Sequence, residues 1–255
     1  MKGFGQLLIC VTFLMMPLAQ AKSEIRVGSA QEQARVHTDL ASRYYQVGQV
    51  SIAVDEAKTA LSSVADYVPA HTVLGLIYAQ LKQNSLADTH FAAALSAAEA
   101  QKISQTDVRN SYAWYLCSSG RGEQALQEFA IVLRDPLYDS MDKALINAGA
   151  CAARLNRNDL ALPYLDAAVD VNANNGAAYM YRAHVLINVA RYSDARADLR
   201  RADALIKNSP EVLWAQVRLA QAQNAPFKNT TDELQRDYPT SEQANWARAG
   251  RYETF

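Results

Sequence analysis

Residues 39–61 have the sequence DLASRYYQVGQVSIAVDEAKTAL, the pattern of two amphipathic helices joined by a tight turn at Gly48. Apolar and small side chains at positions 40, 41 and 44 are spaced three and four residues apart, as are the alanines at 53, 57 and 60. Each set therefore forms one face of a helix. Leu74, Gly75 and Tyr78 repeat the first set with the same spacing further along the chain. A helix–turn–helix unit that returns at a fixed period indicates a solenoid of stacked hairpins.

The same unit continues along the chain with two insertions. Tyr112, Ala148 and Arg182 take the place of Leu74 in the next three units, and a degenerate sixth pair follows over 211–236. The step from position 40 to 74, and again from 148 to 182, matches the tetratricopeptide period of about 34 residues. A small residue at the eighth position, tyrosine at the eleventh and alanine at the twentieth also resemble this repeat.

We predict an all-α fold, a right-handed tetratricopeptide-repeat superhelix of about six repeats over residues 34–239. The two longer steps, from 74 to 112 and from 112 to 148, place the insertions before the third and fourth repeats. One hairpin cannot bury its apolar face alone, so the array is stable only as a stack.

The two ends of the chain are predicted to lie outside the solenoid. Residues 1–21 combine Lys2, an apolar run over 7–18 and the small residues at 19 and 21, which is the pattern of a cleaved secretory signal peptide. Residues 22–33 are predicted to be a polar tether and residues 240–255 a polar C-terminal tail. Lipidation of Cys10 is not expected, because Ile9 stands where a lipobox needs a small residue. We therefore expect a periplasmic protein, with association with the outer membrane left open.

Cys117 and Cys151 remain after removal of the signal peptide. They lie on the first helices of consecutive repeats, 34 residues apart. Disulfides are permitted in exported proteins. Two alternatives stay open: two buried small apolar side chains, or a bridge if the Cα atoms approach within about 7 Å.

The sequence offers little for catalysis, metals or cofactors. It has no glycine-rich phosphate loop after a strand and no nucleophile elbow. His37 and His71 share the fourth repeat position, where an aromatic ring normally packs, so we expect them in the core rather than at a metal site. A formal net charge of −1 argues against a nucleic-acid partner. We expect no enzymatic activity, no cofactor and no small-molecule substrate.

The concave face of such a solenoid is lined by its first helices and is its usual binding surface. In the frame set by Leu40, apolar side chains at the inward positions of five repeats form a stripe, with one amide beside it. The predicted groove residues are Tyr45, Leu76, Asn110, Trp114, Ile146 and Met180. An exposed apolar stripe usually marks a site for a protein partner. Two alternatives remain: the superhelix closes on itself, or the tether covers the stripe.

Three further segments are more specific than the repeat itself. LRDPLY at 133–138 separates the third and fourth repeats, NAG at 147–149 lies in the next helix, and LQRDYP at 234–239 ends the array. With export and six repeats, the last one degenerate, they resemble the type IV pilus biogenesis/stability proteins (the PilF/PilW family) over nearly the whole of 34–239. The resemblance implies a non-enzymatic pilotin, which binds subunits of the outer-membrane secretin and helps them reach, insert and multimerise in the outer membrane. The family's groove maps onto Tyr45, Leu76, Trp114 and Ile146.

The first functional hypothesis is therefore a monomeric periplasmic scaffold that binds the secretin or other pilus assembly proteins. Family members are typically lipoproteins, so a chain without a lipobox is expected to stabilise pili or secretin without carrying it. The alternatives are a generic adaptor in secretion or envelope assembly, and an enzyme such as a peptidoglycan hydrolase or protease. A cytosolic co-chaperone is disfavoured, because the inward positions lack the Lys/Asn-rich set that clamps a C-terminal carboxylate.

Overall fold

The computed structural model describes residues 28–207 and 209–252, and this part of the chain folds into thirteen α-helices without a strand. The helices are α1 (Ala30–Gln46), α2 (Val50–Ser63), α3 (Val68–Gln80), α4 (Asn84–Ala100), α5 (Thr106–Ser118), α6 (Gly122–Val132), α7 (Met141–Arg154), α8 (Asn158–Val171), α9 (Gly176–Asn188), α10 (Tyr192–Leu205), α11 (Pro210–Ala222), α12 (Lys228–Asp237) and α13 (Glu242–Arg248). The first twelve pack in sequence as six hairpins, and each odd-numbered helix also contacts the next odd-numbered helix. The predicted all-α repeat fold is confirmed.

Close packing between the helices explains the small residues of the repeat. Ala41, at the eighth position of the first repeat, is fully buried. At the equivalent Gly75, a Cβ atom would lie 2.9 Å from the ring of Phe91. At Gly149 it would lie 2.6 Å from the side chain of Leu165. A larger residue at this position would push the two helices of one hairpin apart.

A left-handed backbone residue ends the first helix of every hairpin. The residues in this conformation at the turns are Gly48, Lys82, Gly120, Asn156, Ala190 and Asn224. Only two of the six are glycine, although a left-handed alanine or lysine is strained by roughly 1 kcal/mol. Two more are asparagine, which also adopts this conformation readily. At Lys82 and Ala190 the packing of the two helices therefore dictates the turn conformation, because these two residues would not adopt it by preference.

Both predicted boundaries of the solenoid need correction. α1 begins at Ala30, inside the predicted tether, because the side chain of Ser29 caps it by accepting from the backbone N–H of Glu32. The predicted polar tail over 240–255 contains α13, which Ser241 caps in the same way. Ala244 and Ala247 of α13 are buried against the preceding hairpin. The predicted signal peptide, Cys10 and residues 22–27 of the tether lie outside the described residues.

A disulfide joins Cys117 of α5 to Cys151 of α7, with the Cα atoms 5.8 Å apart. Of the two alternatives that the sequence leaves open, the structure has the bridge. It ties the first helices of the third and fourth repeats together in the middle of the array. In the described part of the chain, no helix combines the length and apolar character needed to cross a bilayer.

Candidate functional site: a groove of two cavities

Three of the predicted groove residues line one cavity of about 260 Å³, which we call the N-terminal cavity. Tyr45 comes from α1, Leu76 from α3 and Trp114 from α5. The remaining lining residues are Ala79, Gln80, Lys82, Tyr115 and Ser118. Three consecutive first helices therefore place their inward side chains at one site, as the repeat frame predicts.

The N-terminal cavity has a fixed floor and a partly exposed rim. Tyr115 is buried beneath the rim, donates a hydrogen bond from its hydroxyl to the backbone oxygen of Asn84 (2.9 Å), and lies under the guanidinium of Arg121. Tyr45 is half-buried, and its hydroxyl lies 3.5 Å from the backbone oxygen of Leu76 in the neighbouring repeat. Burial raises the pKa of Tyr45, so its phenol stays protonated and neutral at neutral pH. Lys82 contributes the charged side chain of this lining.

A second cavity of about 210 Å³, which we call the C-terminal cavity, opens along the same series of helices. Its lining consists of Trp114, Arg154, Met180, Tyr181, His184, Glu211, Trp214, Gln243 and Trp246. Trp114 lines both cavities, whereas the predicted groove residue Met180 lines only this one. Trp214 takes the position of Met180 in the next repeat, so the same frame extended to the sixth pair would have found it. Trp246 belongs to α13, outside the repeat frame.

Two predicted groove residues line neither cavity. Ile146 is 6% exposed and packs in the core with Leu145, Ala168 and Ala178. Partly buried apolar side chains, among them Leu133 and Met141, cover this cluster. Asn110 accepts a hydrogen bond from the amide of Asn147 at 3.3 Å and so links α5 to α7. The expected continuous stripe is therefore interrupted at the fourth repeat, where Ile146 is covered.

The histidines form polar pairs rather than the expected apolar core contacts. His37 is only partly buried, and its Nδ1 lies 2.6 Å from a carboxylate oxygen of Glu56. At the equivalent position one repeat later, Nδ1 of His71 lies 3.0 Å from Nδ1 of His90. The expectation of core packing is therefore wrong for both His37 and His71. Within the described residues, no group of three or more His, Cys, Asp or Glu side chains is placed to hold a metal ion.

His184 and Arg218 lie side by side next to the C-terminal cavity. The guanidinium of Arg218 donates to Nδ1 of His184 (2.9 Å) and to the side-chain oxygen of Asn188 (2.9 Å). Burial, together with the charge of Arg218, lowers the pKa of His184 to about 3. His184 is therefore neutral at neutral pH, and its Nδ1 accepts from the guanidinium.

Solved structures of similar fold include a type IV pilus biogenesis factor. PilW, a widely conserved type IV pilus biogenesis factor, matches with a TM-score of 0.70 over 83% of this chain and 96% of PilW, at 24% sequence identity. PilF of Pseudomonas aeruginosa matches with a TM-score of 0.68 over 88% of this chain and all of PilF, at 21% identity. A tetratricopeptide-repeat protein of Parabacteroides merdae matches with a TM-score of 0.66, over 84% of this chain and 82% of its own, at 12% identity. The chain has a tetratricopeptide-repeat fold.

The likeness to PilF/PilW-type proteins that the sequence suggested is thus present in the fold. Among protein sequences, an uncharacterised protein of Haemophilus influenzae is 26% identical over 160 residues, which span 63% of this chain and 87% of the relative. No protein-family model matches the chain.

Proposed function

We propose that this chain is a non-enzymatic scaffold in type IV pilus biogenesis, which binds an outer-membrane secretin subunit through the N-terminal cavity. The observation that carries the proposal is the convergence of Tyr45, Leu76 and Trp114 from three consecutive repeats on one partly exposed cavity. The likeness of the fold to PilW and PilF supports the assignment to the pilus system.

The lining of the N-terminal cavity favours a protein partner over a small molecule. At about 260 Å³, the N-terminal cavity has room for one large side chain of a bound segment. Aromatic residues held on rigid helices are the usual anchors of a protein interface, since they bury much area with few rotatable bonds. Tyr45 and Trp114 have this character.

The chemistry of the same lining supports a non-enzymatic role. A nucleophilic serine needs an adjacent base that takes its proton. The hydroxyl of Ser118 instead donates to the backbone oxygen of Tyr115 within α5, at 2.9 Å. The hydroxyl proton of Ser118 therefore points to a backbone oxygen and not to a base.

The disulfide supports the proposed location in the periplasm. Cys117 and Cys151 are both buried and bridged. Bridges of this kind persist in oxidising compartments such as the periplasm and are rare in the cytosol. With no lipobox at Cys10, we propose a helper that stabilises secretin or pili at the outer membrane without carrying secretin there.

Capture of secretin from detergent-solubilised membranes by the immobilised protein tests the proposal. L76D and W114A are each expected to lower capture at least tenfold, because loss of a central anchor in an interface costs about 2 kcal/mol or more. The matched control is L86D: Leu86 lies on α4 of the same hairpin as Leu76, is 43% exposed and lies outside the lining of both cavities. Wild-type capture by both L76D and W114A, with circular dichroism unchanged, would contradict the proposed site.

A generic cell-envelope adaptor is the second candidate function. The Parabacteroides merdae repeat protein matches this fold nearly as well as PilW does, so the fold alone does not single out the pilus role. The phenotype of a deletion strain distinguishes the two functions. Loss of pili and of twitching supports the pilus role, whereas normal twitching together with capture of other envelope proteins supports the adaptor.

A further inference from the structure

The C-terminal cavity differs from the N-terminal cavity in its wall of aromatic rings. Trp214 is almost fully buried, and its ring centroid lies 5.7 Å from that of Trp246 and 5.9 Å from that of Tyr252. Phe227 packs edge-on against Tyr252 behind them. These four rings form one aromatic surface after the last repeat, and Trp214 and Trp246 line the cavity.

Two arginines beside this cavity form no ion pair with any described carboxylate. Arg154 lines the cavity and is exposed at the end of α7. Arg218 donates only to the neutral acceptors His184 and Asn188, and burial lowers its pKa. Arg182 on α9 shows the contrast, because Asp166 holds it at 2.8 Å and Asp198 at 2.7 Å. Arg154 therefore brings to the lining a positive charge that no described carboxylate pairs with, while Glu211 brings a negative charge to the same lining.

Glu211, the acidic residue of the lining, makes its hydrogen bonds to residues other than these arginines. Glu211 accepts from the hydroxyl of Ser209 at 2.6 Å and from the amide of Gln243 at 3.4 Å. Burial and the charge of Glu211 raise the pKa of Tyr181, while Arg154 opposes them. The lining thus has an acidic residue whose two carboxylate oxygens each accept a hydrogen bond from a neutral side chain, and a basic residue, Arg154, that pairs with no described carboxylate.

We propose that the C-terminal cavity binds an acidic peptide segment, in which a large apolar side chain enters the aromatic cavity and a neighbouring carboxylate pairs with Arg154. A guanidinium offers a fork of donors that matches a carboxylate. The apolar wall and the guanidinium of Arg154 are complementary to these two features of one segment. The inference deepens the proposed function, because Trp114 lines both cavities and a segment of the same partner would cross it.

Binding of short labelled peptides to the purified full chain, followed by fluorescence polarisation, tests this specificity. The probes are GSGEFEGSG, its neutral counterpart GSGQFQGSG, its basic counterpart GSGKFKGSG and the anchorless GSGEAEGSG. The wild type is expected to bind the acidic phenylalanine probe roughly five- to tenfold more tightly than the neutral one, as charge-assisted hydrogen bonds predict. The basic and anchorless probes are expected to bind more weakly still.

Two substitutions of Arg154 test whether the preference for the acidic probe comes from this side chain or from the overall charge of the protein. R154E is expected to abolish the preference for the acidic probe, and R154K to keep most of it. The matched control is R157E, which makes the same charge change three residues later at an exposed arginine outside the cavity lining. Equal binding of the acidic and neutral probes, equal binding of the anchorless probe, or equal effects of R154E and R157E would overturn the inference.

The outcome is independent of the test of the proposed function. The probes contain no secretin sequence, so a failure here leaves the N-terminal cavity as a secretin site. A failure of L76D to reduce secretin capture would remove the proposed function and leave the charge preference of the C-terminal cavity intact.

Discussion

The two cavities of the concave face share Trp114 but are built in different ways. The N-terminal cavity consists of side chains that recur in the repeat frame, presented by the first helices of three regular hairpins. The C-terminal cavity adds Trp246 from α13, at the irregular end of the array, to side chains of the repeat helices such as Arg154 of α7. The regular repeats thus form the N-terminal cavity by themselves, whereas the C-terminal cavity also needs the helix that follows them.

The disulfide marks the junction between these two regions. Cys117 follows Trp114 by one helical turn on α5, and its partner Cys151 precedes Arg154 by one turn on α7. Side chains three residues apart lie on neighbouring parts of a helix surface. The bridge therefore holds in register the two helices that contribute the shared tryptophan and the cavity arginine.

The largest effect on stability is expected from removal of the disulfide. The disulfide closes a loop over a sequence separation of 34 residues. Its removal by C151S is expected to lower the free energy of unfolding by about 3 kcal/mol, because the unfolded chain regains conformational freedom. Urea denaturation of the wild type and the variant measures the change. The reduced wild type serves as the control and should match C151S; equal midpoints for the oxidised and reduced wild type would contradict the prediction.

The next largest effect on stability is expected from a substitution in the C-terminal region. W246A removes a half-buried ring that contacts Trp214 and is expected to cost about 2–3 kcal/mol, somewhat less than truncation of a fully buried tryptophan. Hydrogen exchange should become faster in α11–α13 and stay unchanged in α1–α4. Faster exchange across the whole array would show that the two regions do not differ in this way.

The pH dependence of stability should also distinguish the regions. His184 has a folded-state pKa of about 3, below its ordinary value, so the unfolded state binds the proton more readily. The stabilisation from neutral His184 is complete above about pH 6.5 and is lost as the pH falls toward 3. Between pH 7 and pH 5 the loss is about 2 kcal/mol.

Comparison with H184Q isolates this contribution. Acid destabilisation from the other groups is common to both proteins, so H184Q should show the flatter profile of unfolding free energy over this pH range. Parallel profiles would assign the acid sensitivity to other groups.

The smallest expected effect concerns the turns that both regions share. Gly48 and Ala190 occupy the same left-handed position in the first and fifth hairpins, with φ of 77° and 59°. A190G should raise the free energy of unfolding by about 1 kcal/mol, and G48A should lower it by a similar amount, because only glycine adopts this conformation without steric cost. Thermal denaturation measures both. A loss of stability in A190G would mean that the methyl group of Ala190 contributes more through packing than its backbone strain costs.

Sequence reasoning succeeded where the repeat itself determines the structure. The small residues at Ala41, Gly75 and Gly149 identify the helix crossings, and the inward positions bring Tyr45, Leu76 and Trp114 to one cavity. These features follow from local spacing, which the sequence displays directly.

It failed where contacts between distant segments decide the outcome. Ile146 occupies an inward position in the repeat frame, but Leu133 from the inserted LRDPLY segment and Met141 at the start of α7 pack over its cluster. α13 is short and largely polar, and it folds because Ala244 and Ala247 pack into the cluster that contains Trp214. Neither contact has a periodic signature in the sequence, so the repeat pattern could not reveal it.

Site-specific photocrosslinking in cells tests the central claim, that the N-terminal cavity is the partner site, most directly. A photoreactive phenylalanine analogue replaces Tyr45 in one strain and, as the matched control, Ile52 in another; Ile52 lies on α2 and is 43% exposed. We predict a crosslink to the secretin from position 45 and none from position 52. Crosslinking of secretin from position 52 with none from position 45 would contradict the account.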